Sequence, residues 1–226
     1  MVERIALVGG DEFCLGCEDM DLGILGLTEV SNPRVLILPT AAAEENPEKA
    51  VSNGVEYFLR LGIRAKGIPV LNSEDANNLE FASSIGRTDV IYITGGNPEY
   101  LIKTLRQTII LNEIIKAISN GIILIASSAG AMVLGTSMYR GTWQNGLDIV
   151  NRVAILPHYE IINSTNISGI LNDAPNHIDT ILGIDSRTAC LGTLDNWEVL
   201  GIGNVTLYER DKSLNDLFEE KRLISG

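Results

Sequence analysis

Five consecutive apolar residues, Ile122–Ala126, run directly into Ser127-Ser128-Ala129-Gly130-Ala131. A run that short, with no polar alternation, suits a strand buried on both faces. Such a strand needs helices above and below it, so it belongs in the middle of a parallel sheet. The rest of the chain repeats the theme. Arg4–Val8 and Val35–Leu38 read as strands, Ala65–Val70 as a weaker one, and Val90–Thr94 as another buried one. Between them lie stretches with helical period. Asn46–Leu61 carries Ala50, Val51, Val55, Phe58 and Leu59 on one face, with Gly62 as its stop. Ser73–Ile85 opens with Ser and two acids and closes at Gly86. Asn97-Pro98 opens a further helix as cap and first-turn proline, and helical pattern continues to Asn120-Gly121. The expected fold class is α/β, a doubly wound, mostly parallel sheet with helices on both faces. From about Thr188 the pattern changes. Thr188–Leu194 and Trp197–Tyr208 flank Asp195-Asn196 and predict an antiparallel hairpin at the sheet edge. The charged tail after Arg210 reads as a surface helix. Residues 1–226 are expected to form one α/β domain.

Charge and composition remove several functions. Seventeen Lys+Arg against 29 Asp+Glu give a net charge of −12. That balance repels nucleic-acid phosphates and anionic membranes, so neither is an expected partner. The apolar runs are far shorter than the ~20 residues of a membrane span. The first residues lack the apolar centre of a signal peptide, and three cysteines make no disulfide framework. A cytoplasmic protein is expected. Cys14 and Cys17 form a C-x-x-C, but the remaining Cys190 and the two histidines are scattered, so no metal site is expected.

The chemistry concentrates where the central strand meets its helix. A nucleophile elbow places its residue on a turn so tight that the neighbours must be Ala or Gly. Ser128 stands in such a context, written A-x-S-x-G because position 126 is Ala. The N–H groups that follow, at a helix N-terminus, face a developing negative charge. A plain strand-to-helix turn would use the same small residues for close packing. A second segment, Thr94-Gly95-Gly96-Asn97, ends the neighbouring strand in a Gly-Gly turn. Carboxyl ends of adjacent parallel strands line one crevice, so this turn faces Ser128. There the Gly96 N–H is placed to supply half of an oxyanion hole, with Gly95 and Asn97 as further substrate-binding candidates. A helix-capping turn would look similar. A serine nucleophile needs a base, and the chain holds only two histidines. His158 closes the apolar strand Ala154–Pro157, on the same rim, whereas His177 lies in a polar turn.

Gly-Gly-Asn after a strand, Ser-Ala-Gly-Ala at the elbow and Pro-His-aromatic about 30 residues later resemble the serine peptidase family of dipeptidase E and cyanophycinase. Ala6–Gly10, Leu36–Ala41, Tyr57-Phe58 before Leu61-Gly62, and Glu198–Gly203 extend the resemblance across roughly residues 4–208. It implies a flavodoxin-like sheet related to class I glutamine amidotransferases, with serine in place of their cysteine. It implies Ser128 as nucleophile, His158 as base, and the N–H groups of Gly96 and Ala129 as the oxyanion hole. Family order puts the acid between serine and histidine, where only Asp148 lies; Asp185 and Asp195 are its rivals on later loops. Cyanophycinases carry Gln after Gly-Gly-Asn, Gln before the histidine and arginines after it. Here Pro98, Pro157 and the Tyr159–Ser164 stretch stand in those places. The expected activity is acyl-enzyme hydrolysis of small peptides or isopeptides, neutral or basic rather than Asp-initiated, with no cofactor. Arg140 and Arg187 are the cations that a fold could bring in to reverse that preference. A homodimer is compatible with the sequence. The alternatives are a non-catalytic ligand-binding or regulatory protein on an amidotransferase-like scaffold, or an esterase.

Overall fold

The structure, a computed structural model, describes residues 4–193, 196–211 and 217–223. In chain order its elements are β1 (Ile5–Val8), α1 (Glu18–Gly26), β2 (Arg34–Leu38), α2 (Pro47–Arg60), β3 (Arg64–Gly67), α3 (Leu79–Ile85), β4 (Val90–Ile93), α4 (Pro98–Leu105), α5 (Ile109–Ser119), β5 (Ile123–Ser127) and α6 (Ala129–Leu134). Then come a small hairpin, β6 (Ser137–Tyr139) and β7 (Trp143–Asn145), and β8 (Val153–Pro157), α7 (Ser164–Asn172), β9 (Thr180–Ile184), β10 (Thr188–Thr193), β11 (Asn196–Gly201), β12 (Val205–Asp211) and β13 (Leu217–Leu223). Among the described residues no helix is long and apolar enough to cross a membrane.

Seven strands form the principal sheet in the order β11-β10-β1-β5-β4-β2-β3, with β5 at its centre as its sequence predicts. β1, β5, β4, β2 and β3 run parallel, and the β10–β11 hairpin adds two antiparallel strands at one edge. Side chains alternate across a strand, so one strand feeds two cores. Ile5, Leu7, Ile91, Ile93, Leu124 and Ala126 point to one face, against α4, α5 and α6. Ala6, Val8, Val90, Tyr92, Ile123 and Ile125 point to the other, against α1 and α2. All of these are buried, which explains why the strands carry no polar alternation.

Three expectations need correction. The chain builds a second sheet, β13-β12-β9-β8, where one sheet with an edge hairpin is expected. Trp197–Tyr208 is therefore two strands: β11 ends at Gly201, and the turn of Ile202–Asn204 carries β12 into the second sheet. One face of that sheet, through Val153, Ile155, Leu182, Ile184, Val205 and Leu207, joins the first core, and Ala154, Leu156, Ile181 and Tyr208 pack under Ile167 and Ile170 of α7. The charged tail is not a helix. Leu217–Leu223 pairs antiparallel with β12, where Phe218 lies under the Arg210 guanidinium and Glu219, Glu220 and Lys221 are exposed. Charge on an outer strand guards a sheet edge from further pairing. Finally, Ser73–Ile85 is broken. Asp75–Asn77 form a 3-10 turn, and α3 starts only at Leu79 because the Asn78 side chain accepts from the N–H groups of Glu80 and Phe81. Helix α1 falls where periodicity signals none; its apolar residues are interrupted by the buried Asp21.

Candidate active site

The parallel register decides which loops meet. β1, β4 and β5 end side by side, Val8 opposite Ser127 and Ile93 opposite Ala126. In the second sheet β8 and β9 also run parallel, Pro157 opposite Ile184. The residues that follow, His158 and Asp185–Ser186, thus emerge together. The two sheets are fastened at this rim. The His158 N–H donates to the Gly9 carbonyl at 2.8 Å, and the Gly9 N–H to the Thr188 carbonyl at 2.9 Å. Gly10, at φ 134°, has the imidazole directly over it; a Cβ there would lie 2.1 Å from His158 Cε1. No side chain fits at position 10 with the ring in place.

Ser128 connects β5 to α6 at φ 50° and ψ −112°. A non-glycine residue in that region is strained by roughly 1–3 kcal/mol. The strain is held by the Ser128 N–H donating to the Val8 carbonyl and the Met132 N–H donating back to the Ser128 carbonyl, both at 2.9 Å. The result is the projecting elbow that the small-residue pattern predicts. Ser128 Oγ lies 3.1 Å from His158 Nε2. His158 itself takes a left-handed backbone, φ 50° and ψ 43°.

The other face of the imidazole meets a hydroxyl. His158 Nδ1 is 2.9 Å from Ser186 Oγ. Ser186 Oγ–H donates to Glu160 Oε1 at 2.5 Å, and the Ser186 N–H donates to Glu160 Oε2 at 2.9 Å. Burial works against the Glu160 charge. Donation from the Ser186 hydroxyl and N–H, then from its own N–H, and the nearby His158 outweigh it and hold the pKa below the ordinary Glu value. Glu160 is therefore an acceptor at neutral pH, and the Ser186 hydroxyl has its proton committed to it. Only lone pairs remain for His158, so Nδ1 carries the ring proton and Nε2 is free to accept from Ser128.

The residues expected at the site divide. Ser128, His158 and Gly95 come together; the space a Gly95 Cβ would fill is 3.2 Å from Ser128 Cβ. Ala129 is the first residue of α6, where an N–H has no intrahelical acceptor, and Gly96 continues the turn beside it. The Gly95 N–H is already given to Glu12 Oε1 at 2.7 Å. Asn97 is a cap: its Oδ1 accepts from the Glu99 and Tyr100 N–H groups and its Nδ2 donates to Glu44. Asp148 is a correction. It accepts from Thr136 Oγ1 and Asn151 Nδ2, and its N–H donates to Gly135 just past the C-terminal end of α6. Ser128 precedes the other end, a helix length of about 9 Å away at 1.5 Å per residue. Asp185 accepts from the backbone and side chain of Asn204, not from the imidazole. Asp195 lies outside the described residues. His177 is bonded to Ser137 Oγ at 2.9 Å, away from Ser128. Arg140 pairs with Glu99 and Arg187 with Asp11. Sequence reasoning misses Ser186 and Glu160 because it looks for a carboxylate on the ring, and a hydroxyl stands there.

The model of peptidase family S51 matches residues 5–193. An uncharacterized peptidase of Pasteurella multocida is 27% identical over 188 residues, which span 78% of this chain and 84% of that one. An uncharacterized peptidase of Listeria monocytogenes is 25% identical over 134 residues, 59% of this chain and 62% of the other. The crystal structure of a peptidase from an acI-B1 actinobacterium superposes with a TM-score of 0.84 at 28% identity, covering 100% of this chain and 96% of that one. A putative peptidase E protein of L. monocytogenes shares the fold, with a TM-score of 0.65 at 20% identity over 90% of this chain and 100% of its own. With the family match running from β1 to β10, across the elbow and the histidine loop, this chain belongs to peptidase family S51 and is a serine-type peptidase.

Proposed function

We propose that Ser128 is the nucleophile and His158 the general base of a peptidase acting on short peptides. The observation that carries the reading is the 3.1 Å approach of Ser128 Oγ to His158 Nε2 on a strained elbow. In the first half-reaction Oγ adds to the scissile carbonyl carbon and its proton passes to Nε2. The oxyanion forms against the N–H groups of Ala129 and Gly96. His158 returns the proton to the leaving amine as the C–N bond breaks, leaving an acyl-enzyme. Water then attacks the ester with Nε2 as base, and Ser128 leaves protonated. Ser186 receives the Nδ1–H throughout, and Glu160 behind it stabilises the imidazolium. No metal or organic cofactor enters these steps.

On substrate, the reading is neutral or basic short peptides, with Asp-initiated dipeptides and cyanophycin poor despite the cyanophycinase-like pattern. A cavity of about 590 Å³ reaches Pro157, the neighbour of His158, and is lined by the apolar Met132, Leu156 and Ile162 together with Tyr139 and the polar Thr165 and Asn166. Met132 is one helical turn from Ser128 and Pro157 precedes His158, so the cavity suits an apolar side chain beside the scissile bond. The two arginines that could have held an anionic side chain are paired with Glu99 and Asp11. Free thiols at Cys14, Cys17 and Cys190 agree with work in the reducing cytoplasm. The test is a fluorophosphonate probe followed by peptide mass spectrometry. The adduct is expected on Ser128 and absent from Ser128→Ala. Labelling of Ser127 instead would overturn the assignment of the nucleophile, and no labelling at all would return the chain to a non-catalytic binding role.

A further inference from the structure

The loop between β1 and α1 carries two thiols that the catalytic steps do not use. Cys14 is exposed and Cys17 is fully buried, both as free thiols. The Cys17 N–H donates to the Cys14 carbonyl at 3.2 Å, so Cys14-Leu15-Gly16-Cys17 is a hydrogen-bonded turn. Gly16, its third residue, takes φ 95°. The ends of such a turn lie within about 7 Å of each other, and a disulfide joins Cα atoms about 4.4–6.8 Å apart. The two thiols differ in access. Cys14 is open to a reagent in solution. Burial, with the Asp21 carboxylate adding to it, pushes the Cys17 thiol up to about 12. An exposed thiol that reacts first, with a shielded one three residues on, is the arrangement in which the second resolves the first.

The loop that holds this pair is also the floor of the site. The Gly9 carbonyl accepts from the His158 N–H at 2.8 Å, and the Gly10 carbonyl accepts from the Arg187 N–H at 2.9 Å with the imidazole directly over Gly10. Glu12 accepts from the Gly95 N–H and from the Ser127 hydroxyl, both at 2.7 Å. Between them, Asp11 takes φ 56°, and its carbonyl accepts from the Cys17 Sγ–H at 3.3 Å. The thiol is therefore an anchor for the residue next to Gly10. Cys17 Sγ cannot bond to Cys14 and still donate to Asp11, because a disulfide sulfur carries no proton. Oxidation thus removes a tie that lies one residue from the imidazole's support.

We propose that Cys14 and Cys17 are a modification site for low-molecular-weight disulfides, forming a reversible disulfide that shifts the loop beneath His158 and slows the reaction of Ser128. The effect on Ser128 rests on its assignment as nucleophile; the disulfide does not. The Cys14 thiolate attacks one sulfur of oxidised glutathione, expels one glutathione thiolate and forms a mixed disulfide. Cys17 gives up its proton to solvent, attacks Cys14 Sγ and expels the second glutathione thiolate. Two electrons pass from the protein to the small disulfide, and two protons end on the two glutathione thiols. With the glutathione pool reduced, the same exchange runs backwards and the dithiol form prevails.

The experiment treats the whole protein with oxidised glutathione, maps its thiols by mass spectrometry and follows the imidazole C–H signals of the two histidines by NMR. Wild type should lose two hydrogen atoms at Cys14–Cys17, while Cys190, fully buried in β10, stays a thiol. The His158 signal should move, the His177 signal should not, and dithiothreitol should reverse the change. Fluorophosphonate labelling of Ser128 should slow by about tenfold in the oxidised protein, the scale of a small displacement at a reacting pair. Cys14→Ser should label like reduced wild type and ignore the oxidant. Cys17→Ala should keep glutathione on Cys14. A wild-type glutathione adduct that never resolves would overturn the proposal. So would a disulfide that leaves the His158 signal in place, one that moves both histidine signals, or one that leaves labelling as fast as before. If Ser128 is unlabelled even in the reduced protein, the peptidase mechanism fails, and the disulfide and the His158 signal still decide the thiol pair.

Discussion

The proposed nucleophile and the proposed base of this site are built in opposite ways. Ser128 is delivered by one continuous stretch: the buried strand β5, a strained residue and the first turn of α6. His158 is delivered by assembly. It leaves the second sheet at the end of β8, hangs by its N–H from Gly9 of the first sheet, lies over Gly10, and is backed by Ser186 from the end of β9. The first half needs only local packing of small residues. The second needs two sheets brought together and three chain segments at one rim. Both residues have positive φ, but the less favourable backbone, that of Ser128, lies in the rigid half, where a central strand with buried neighbours on both sides can sustain it. The adjustable contacts lie in the half made of loops.

The largest effects should come from breaking either half at its reacting atom. Ser128→Ala and His158→Ala should each lower kcat/KM by roughly 10⁴- to 10⁶-fold, and the double variant should be no worse than either, because the pair acts as a unit. His177→Ala removes only a bond to Ser137 and should keep most of the turnover. Equal losses in the two histidine variants would dissolve the contrast between the halves.

Next in size is the backing of the imidazole. Ser186→Ala removes the acceptor of Nδ1–H and should cost about 10- to 100-fold in kcat, with KM little moved. Glu160→Gln should cost less, about tenfold, and adding it to Ser186→Ala should cost nothing further. Non-additivity of that kind is the signature of a group acting through another. Independent, additive losses would show that Glu160 reaches the site by a different route.

The smallest effect on turnover, but a clear one on stability, is expected on the far face of the first sheet. Asp21 is fully buried and accepts from Tyr57 Oη at 2.7 Å, while its Oδ1 has no partner. Burial, against the pull of the Tyr57 hydroxyl, pushes its pKa up to about 7. The native state therefore binds a proton that the unfolded chain has released, in the window from the ordinary Asp value to about 7. Its contribution to stability is complete below that window and is lost as the pH rises through it. Urea unfolding should show wild-type stability falling between pH 4 and pH 7, by up to about 4 kcal/mol at 1.36 kcal/mol per pKa unit. Asp21→Asn should flatten that slope and leave kcat/KM within about twofold. A large activity loss would mean that the two faces of the sheet are coupled through the elbow.

What could be read from the sequence follows the same division. The apolar run of β5 fixes its place at the sheet centre, because only the centre buries both faces of a strand. Small residues after it permit an elbow at Ser128, and Gly62, Asn97 and Pro98 mark helix ends by their own backbone chemistry. These signals are local, and the fold keeps them. Residues 197–208 carry no local sign that the chain changes sheets between Gly201 and Val205; that is decided by whether the strand pairs with β10 or β9. The tail looks helical by charge alone and becomes β13 because β12 offers it a partner. Asp148 precedes the histidine in the chain yet is spent at the wrong end of α6, satisfied by Thr136 and Asn151. Ser186 is an unremarked hydroxyl until β8 and β9 run parallel and bring it to Nδ1, and Glu160 is a lone acid in an uncharged stretch until Ser186 meets it. The sequence by itself determined the strand, the elbow and which of the two histidines lies against the elbow serine, since those depend on neighbours in the chain. The tertiary structure alone decided what stands behind the imidazole and beside the serine, since those contacts join residues 28 and 115 positions apart.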